Sequence, residues 1–463
     1  MAEEKTEEKR ATPTMTTTPA GTPTGPPTGD PADTSADASA SSVSPERIAA
    51  ARKAVISSSI GAALEWFDII VYASFAVVIA KNFFPGGDSG LGLILTFATF
   101  TISYLVRPLG GLLIGGYGDR YGRKKALTLT LILMMAGTVL MAAAPTHQAI
   151  GAWAGLIILV SRLVQGFSAG AEFGTATTFL IETAPHRKVY YSSWQVASQG
   201  VSMFLASAFG YVLFKYLSED DLYSWGWRIP FIVGILVGPV GLYIRARLSE
   251  TEEFSQGPRE RTPVRTTLTR HLGRVLTGAA CVGVATISVY LILYMPTFAV
   301  KSLGVPADAA YLGGVVAGLV TLVGVPLVGK LADRVGPARV MTWAAVAALA
   351  LAWPLFKALT SSPTVPTLVC VIAVLGVIMA FYFAPLPALL TSLYPPEVRT
   401  TAVSTAYNLG VTLLGGIAPL VLTWLIDRTG SLDSPSLYYM GVAVISLLGL
   451  WFVRRHTSVA LPK

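Results

Sequence analysis

From Ala54 onward the chain is divided into about twelve uninterrupted apolar stretches, near 54 to 80, 91 to 115, 126 to 144, 151 to 181, 190 to 214, 228 to 244, 274 to 299, 309 to 329, 339 to 357, 365 to 392, 400 to 426 and 436 to 453. That pattern limits the fold. About 20 residues rising 1.5 Å each cross a hydrocarbon core of about 30 Å, so these stretches are of spanning length. In hydrocarbon no water pairs the backbone, and each N–H and C=O must be met within one helix or around a closed barrel. Runs this long lack the alternation of barrel strands. The chain is therefore expected to be an all-α membrane protein. Composition agrees, since only 13% of its 463 residues are charged and mean hydropathy is +0.60, against about a quarter charged in soluble domains.

Lys and Arg divide unevenly between alternate loops. One side holds Arg47, Arg52 and Lys53, then Arg120, Arg123, Lys124 and Lys125, then Arg187 and Lys188, the arginines from Arg245 to Arg274, then Lys330, Arg334 and Arg339, Arg399, and finally Arg454, Arg455 and Lys463. The other side holds only Lys81, Lys215, Arg228, Lys301, Lys357 and Arg428. The positive-inside rule makes the first side, with both termini, cytoplasmic, in a plasma or inner membrane. The formal charge of +8 is thus spread over short loops, and no aromatic-interleaved basic patch for nucleic acid is present.

Residues 1–44 are rich in Thr, Pro, Ala, Ser and Asp with few large apolar side chains, and are expected to be a disordered tail; no apolar run follows the acid-rich start, so a signal peptide is not expected. The polar stretch 249–273 reads as a cytoplasmic linker between a first six-helix bundle, 45–248, and a second, 274–455, with 456–463 a short cytoplasmic tail. Pro385 and Pro387 together mark a candidate bend. Cys281 and Cys370 both fall in apolar stretches and read as small buried hydrophobes.

A short charged hairpin recurs at a half-chain interval. Gly115 to Leu127 reads G-G-Y-G-D-R-Y-G-R-K-K-A-L and Gly329 to Met341 reads G-K-L-A-D-R-V-G-P-A-R-V-M. Such internal symmetry is expected of a duplicated transporter. Asp119 can sit at the start of a helix from the other half, where exposed N–H groups favour an anion, while Arg120 and Arg123 can bridge to carboxylates. Asp333 and Arg334 would form the matching latch, weaker for lack of basic neighbours.

Charges inside the spans are the candidate site. Each costs about 2.5 to 3.5 kcal/mol at a helix centre on insertion scales, so such residues are normally paired or line a watery path. The first half carries Glu65, Asp68, Arg107, Arg162 and Glu172, whereas the apolar cores of the last six stretches contain none. At 1.5 Å per residue, Asp68 lies roughly 18 Å below the outer end of its stretch and Arg162 about 16 Å below the outer end of its own, so opposite charges share a depth. The pair is open to two readings, a permanent tie between helices or a switch in which Asp68 takes a proton when an anionic ligand takes Arg162. Burial favours the neutral acid and a nearby cation the carboxylate. Glu65 and Glu172 are further proton carriers. Arg107, near the cytoplasmic end, reads as packing or snorkelling at least as readily as ligand contact. Gln165 shares a face with Glu172, and Gly166, Gly170 and Gly174 form a small-residue stripe for close helix packing. Tyr290, Tyr294, Tyr382, Tyr407 and Asn408 are candidates for a ligand's other end, and Trp66, Tyr72 and Trp194 for a quaternary ammonium.

The two hairpins resemble the signature loops of the major facilitator superfamily, with Tyr117 where Leu is usual and Pro337 degrading the second copy. L-E-W-F-D-I-I-V-Y (Leu64 to Tyr72), R-P-L-G-G (Arg107 to Gly111), R-L-V-Q-G-F-S-A-G-A-E-F-G (Arg162 to Gly174) and E-T-A-P-H-R (Glu182 to Arg187) are similar to the metabolite:proton symporters, which carry citrate, 2-oxoglutarate, shikimate or proline and betaine. Ala171 departs from the Gly common there. The resemblance, over 54 to 455, implies two pseudo-symmetric six-helix bundles and proton-driven uptake by alternating access. It implies protons and a small organic anion as partners within the bilayer, a monomer, no nucleic acid, and a proton gradient in place of a cofactor. A zwitterionic osmolyte is the alternative solute; proton-driven drug efflux and a transporter-shaped receptor are further alternatives. An enzyme is not expected, because no metal cluster, nucleophile elbow or phosphate loop is apparent.

Overall fold

The computed structural model describes residues 45–85, 89–257, 260–305 and 307–456; the expected tail 1–44 and the end 457–463 lie outside the described residues. Twelve helices are long and apolar enough to cross a membrane, and no strand occurs among the described residues. In order they are Ile48–Ser74, Ile94–Tyr121, Arg123–Ala143, Trp153–Thr183, Lys188–Tyr216 and Glu219–Ala246, then Leu272–Met295, Leu312–Val335, Pro337–Ser361, Val365–Ser392, Pro396–Thr429 and Ser434–Arg455, called here spans one to twelve.

Local chemistry explains their breaks. Span ten is interrupted between Phe383 and Leu386, where Pro385 and Pro387 remove backbone donors. Span eleven carries a π-helical segment at Val411–Gly416, which ends in two glycines three residues before Pro419, a residue with no N–H to donate back into it. The hairpin glycines Gly122 and Gly336 hold φ of 120° and 100°, a region that side chains resist, so each motif keeps a glycine where span two turns into three and span eight into nine.

The glycine stripe of span four makes backbone-to-backbone contact. A Cβ on Gly166 or Gly170 would run into the carbonyl oxygen of Ser103 or Arg107 on span two, and one on Gly174 into Ser404 on span eleven. Lipid tails are as apolar as leucine, so close van der Waals packing of this kind holds membrane helices together. Gly170→Val is expected to lower stability by about 1–3 kcal/mol, the range for overpacking, visible as a lower Tm in detergent; an unchanged Tm would count against this packing.

One apolar cluster fills the second half and takes in Tyr104 and Phe173 of the first. Another lies among Phe67, Phe75, Ile79, Met141, Trp227 and Phe231 of the first half. Cys281 is buried as expected, but Cys370 is exposed, because it points away from the bundle on the outer face of span ten.

Candidate transport site and latches between the halves

Span one leaves Asp68 facing span four, and the depth match resolves into contact. Arg162 Nη1 lies 2.9 Å from Asp68 Oδ2, both side chains almost wholly buried. Gln165, one turn along span four, donates from Nε2 to Asp68 Oδ1 at 3.0 Å and to Thr138 Oγ1 at 3.1 Å. The guanidinium lies over the Tyr72 ring, 3.8 Å from its centroid. The Tyr72 hydroxyl is in turn held 2.7 Å from Thr99 Oγ1. Arg162 Nε and Nη2 and Gln165 Oε1 are buried and without a hydrogen-bond partner among the described residues. A cavity of about 10 Å³ touches Asp68, Thr138 and Met134, close to the room one water needs.

Two further ion pairs lie in the same half. Glu65 sits one turn before Asp68 and pairs with Arg107 at 3.2 Å. The Arg107 guanidinium rests 4.2 Å from the Tyr104 ring centroid. Arg107 is therefore no snorkelling residue, since it points inward and only 4% of its side chain is exposed. Glu172 shares a face with Gln165 but not its partners; it binds Thr130 and Arg245. Arg245 is fully buried and also donates to the Leu127 carbonyl. Sequence reading assigns it to the linker arginines, whereas span six continues to Ala246 and turns it inward. The position of Arg245 one residue beyond an apolar run was the available signal.

The second-half candidates divide. Tyr382 donates to the Cys281 carbonyl at 2.9 Å and is fully buried, so it packs the second half and offers a ligand nothing in this form. Tyr407 stacks on Phe173 of span four with centroids 3.6 Å apart. Asn408 donates to the Gly170 and Ser404 carbonyls, tying span eleven to span four. Tyr290 packs against Tyr104, and Tyr294 reaches Thr423 at 3.2 Å. The three candidates for a quaternary ammonium have other partners in this form. Tyr72 gives its face to Arg162, Trp66 is buried in the larger core, and Trp194 packs on Tyr190.

At the end of span two, Asp119 caps the helix that opens span eleven. Its carboxylate accepts from the Thr400 and Thr401 N–H groups at 3.1 and 2.8 Å and from the Thr401 hydroxyl at 2.6 Å. Asp333 mirrors it on span five, accepting from the Val189 and Tyr190 N–H groups at 3.0 and 2.9 Å. Arg123 pairs with Asp119 at 3.4 Å and with Glu182 at 3.3 Å, and donates to the Pro396 carbonyl at 2.7 Å. Arg120 departs from expectation: it is exposed and lies against the Tyr121 ring, because its place on the helix faces away from Glu182. Arg334 is likewise exposed.

Beyond the expected pairs, the linker joins this lock. It holds two short helices, Glu252–Gln256 and Pro263–Arg270. Thr251 donates to Glu182 at 2.7 Å, Glu253 pairs with Arg399 at 2.9 Å, and Arg399 also reaches Glu182 at 3.2 Å. Asp119→Ala is expected to raise labelling of a cysteine placed in the inner seam more than Asp333→Ala does, because only the first latch has Arg123 and Glu182 beside it. Equal labelling in both variants would remove that ranking.

The comparisons with known proteins follow this geometry. The citrate-proton symporter of Klebsiella pneumoniae is 37% identical over 431 residues, covering 91% of this chain and 97% of that protein. The proline/betaine transporter of Salmonella typhimurium is 32% identical over 416 residues, covering 86% and 82%. The solved structure of the proton:xylose symporter XylE bound to 6-bromo-6-deoxy-D-glucose superposes with a TM-score of 0.73 at 16% identity, covering 89% of this chain and 96% of that one, which speaks to the fold alone. The Major Facilitator Superfamily model matches residues 58–419 and 319–462, and with these relatives over most of the length the chain belongs to that superfamily of multi-pass membrane transporters.

Proposed function

We propose that the chain is a proton-coupled importer of a small organic anion, of the carboxylate class, working by alternating access in the inner membrane with both termini cytoplasmic. The observation that carries this is the buried Asp68–Arg162 pair, in which Arg162 keeps Nε and Nη2 unpartnered. A carboxylate that takes those donors competes with Asp68 for the same cation. Once released, the Asp68 carboxylate is a buried charge without its partner and takes up a proton, so solute and proton are loaded together. Glu65 and Glu172 keep cations of their own and are the further candidate proton carriers. Rocking of the two six-helix halves then breaks the Asp119 and Asp333 latches and opens the inner side. The citrate-proton relative supports this reading.

A zwitterionic osmolyte is the second reading, favoured by the proline/betaine relative. In that case an ammonium would take the Tyr72 face that Arg162 leaves. Proteoliposomes decide between them. Adding citrate or 2-oxoglutarate without a gradient is expected to alkalinise the outside, as protons follow the solute inward. Alkalinisation with betaine alone would favour the second reading, and none with any solute would leave the transport proposal without support.

A further inference from the structure

The first hairpin has basic residues that the latch does not use. Arg123 turns inward, but Lys125 and Arg120 are exposed and Lys124 is half-buried. Lys124 and Lys125 line a cavity of about 770 Å³ formed where span two ends, span three begins and the linker sets out. Its other walls include Tyr121, Leu129, Ile132 and Leu248. That volume is within the range of small-molecule sites.

The lining is graded. At the mouth, two lysines stand beside Tyr121, whose ring carries the Arg120 guanidinium 5.1 Å from its centroid. Deeper along span three the walls turn apolar, and Ile132, 47% exposed, joins the cavity to the face that meets lipid tails. Glu250 also lines the cavity, yet its carboxylate is committed to the start of span three, accepting from the Arg123 N–H at 3.1 Å and the Lys124 N–H at 3.2 Å. Lys124 gives one Nζ proton to the Ala246 carbonyl at 2.9 Å and keeps others for a ligand.

Cations over an apolar wall at the level where helices leave the bilayer match one molecule class, with a negative head and a hydrocarbon tail. Basic pockets between membrane helices bind anionic head groups in this way, and tyrosine favours the same interface. We infer that this cavity is a binding site for an anionic phospholipid, whose phosphodiester meets Lys124 and Lys125, with Arg120 adding positive charge from beside Tyr121, while an acyl chain lies along Leu129 and Ile132. The site is separate from the Asp68–Arg162 pair, and its test needs no transported solute.

The test uses the full-length chain in detergent, titrated with phosphatidylglycerol, phosphatidylcholine or soluble glycerol 3-phosphate. Tm and the lipids retained in native mass spectrometry are followed. Phosphatidylglycerol is expected to raise Tm, with the other two weaker. At about fivefold for each cation removed, Arg120→Gln/Lys125→Gln is expected to need at least tenfold more phosphatidylglycerol for half of that shift. Lys125→Arg, which keeps the charge, should bind as the parent does and serves if the double variant folds poorly. An equal shift with phosphatidylcholine, a full response to glycerol 3-phosphate, or an unaltered titration of a folded Arg120→Gln/Lys125→Gln variant would each overturn the proposal.

Discussion

Replacing Arg162 with alanine is expected to weaken binding of carboxylate solutes by about a hundredfold or more and to stop their uptake. A hydrogen bond to a charged group contributes about 1.5–3 kcal/mol, and the proposed ligand would use the two donors now free, Nε and Nη2. The variant also leaves Asp68 buried without its cation, a loss of about 3–5 kcal/mol when one partner of such a pair is removed. Stability and binding must therefore be read apart. Arg162→Ala combined with Asp68→Asn removes both charges and should recover Tm, yet still fail to bind citrate by calorimetry. Citrate binding recovered in that double variant would show that Arg162 only ties helices together.

Asp68→Asn separates coupling from carriage. Asparagine keeps a group that can accept from Gln165 but neither gains nor loses a proton in the working range. Exchange of labelled for unlabelled solute is expected to persist, whereas accumulation driven by a proton gradient should fall to simple equilibration. If instead accumulation survives and only Tm drops, Asp68 is a fixed tie and the proton travels through Glu65 or Glu172.

How much of this was legible in the residues depends on what each inference needed. Twelve spans follow from hydrocarbon thickness and backbone pairing alone, and the boundaries drift where helices run on past the apolar run, as at Pro45 and Ala246, and where they stop short of its end, as at Ser74. The Asp68–Arg162 contact was accessible because depth is a linear function of position along a helix. Arg245 was not, because an arginine at a span's end reads equally as loop or core until the helix phase is known, and here the phase points it at Glu172. Tyr382 stood open between packing and ligand contact for a related reason. Residue type says that a tyrosine can meet a ligand, but only packing reveals that its hydroxyl already belongs to Cys281. Asp119 was placed correctly because an N-terminal helix end attracts an anion wherever it lies. The break in span ten was marked by its prolines, and the π-helical segment in span eleven is likewise followed by Pro419.

Asp119 of the first half caps a helix of the second, and Asp333 of the second caps a helix of the first. The two fastenings act in parallel, so a chance fluctuation that loosens one still finds the seam held by the other. If the two caps hold the proposed gate, an unprompted opening requires both to break together. Under the proposed symport, this double hold would limit a futile leak of protons between turnovers.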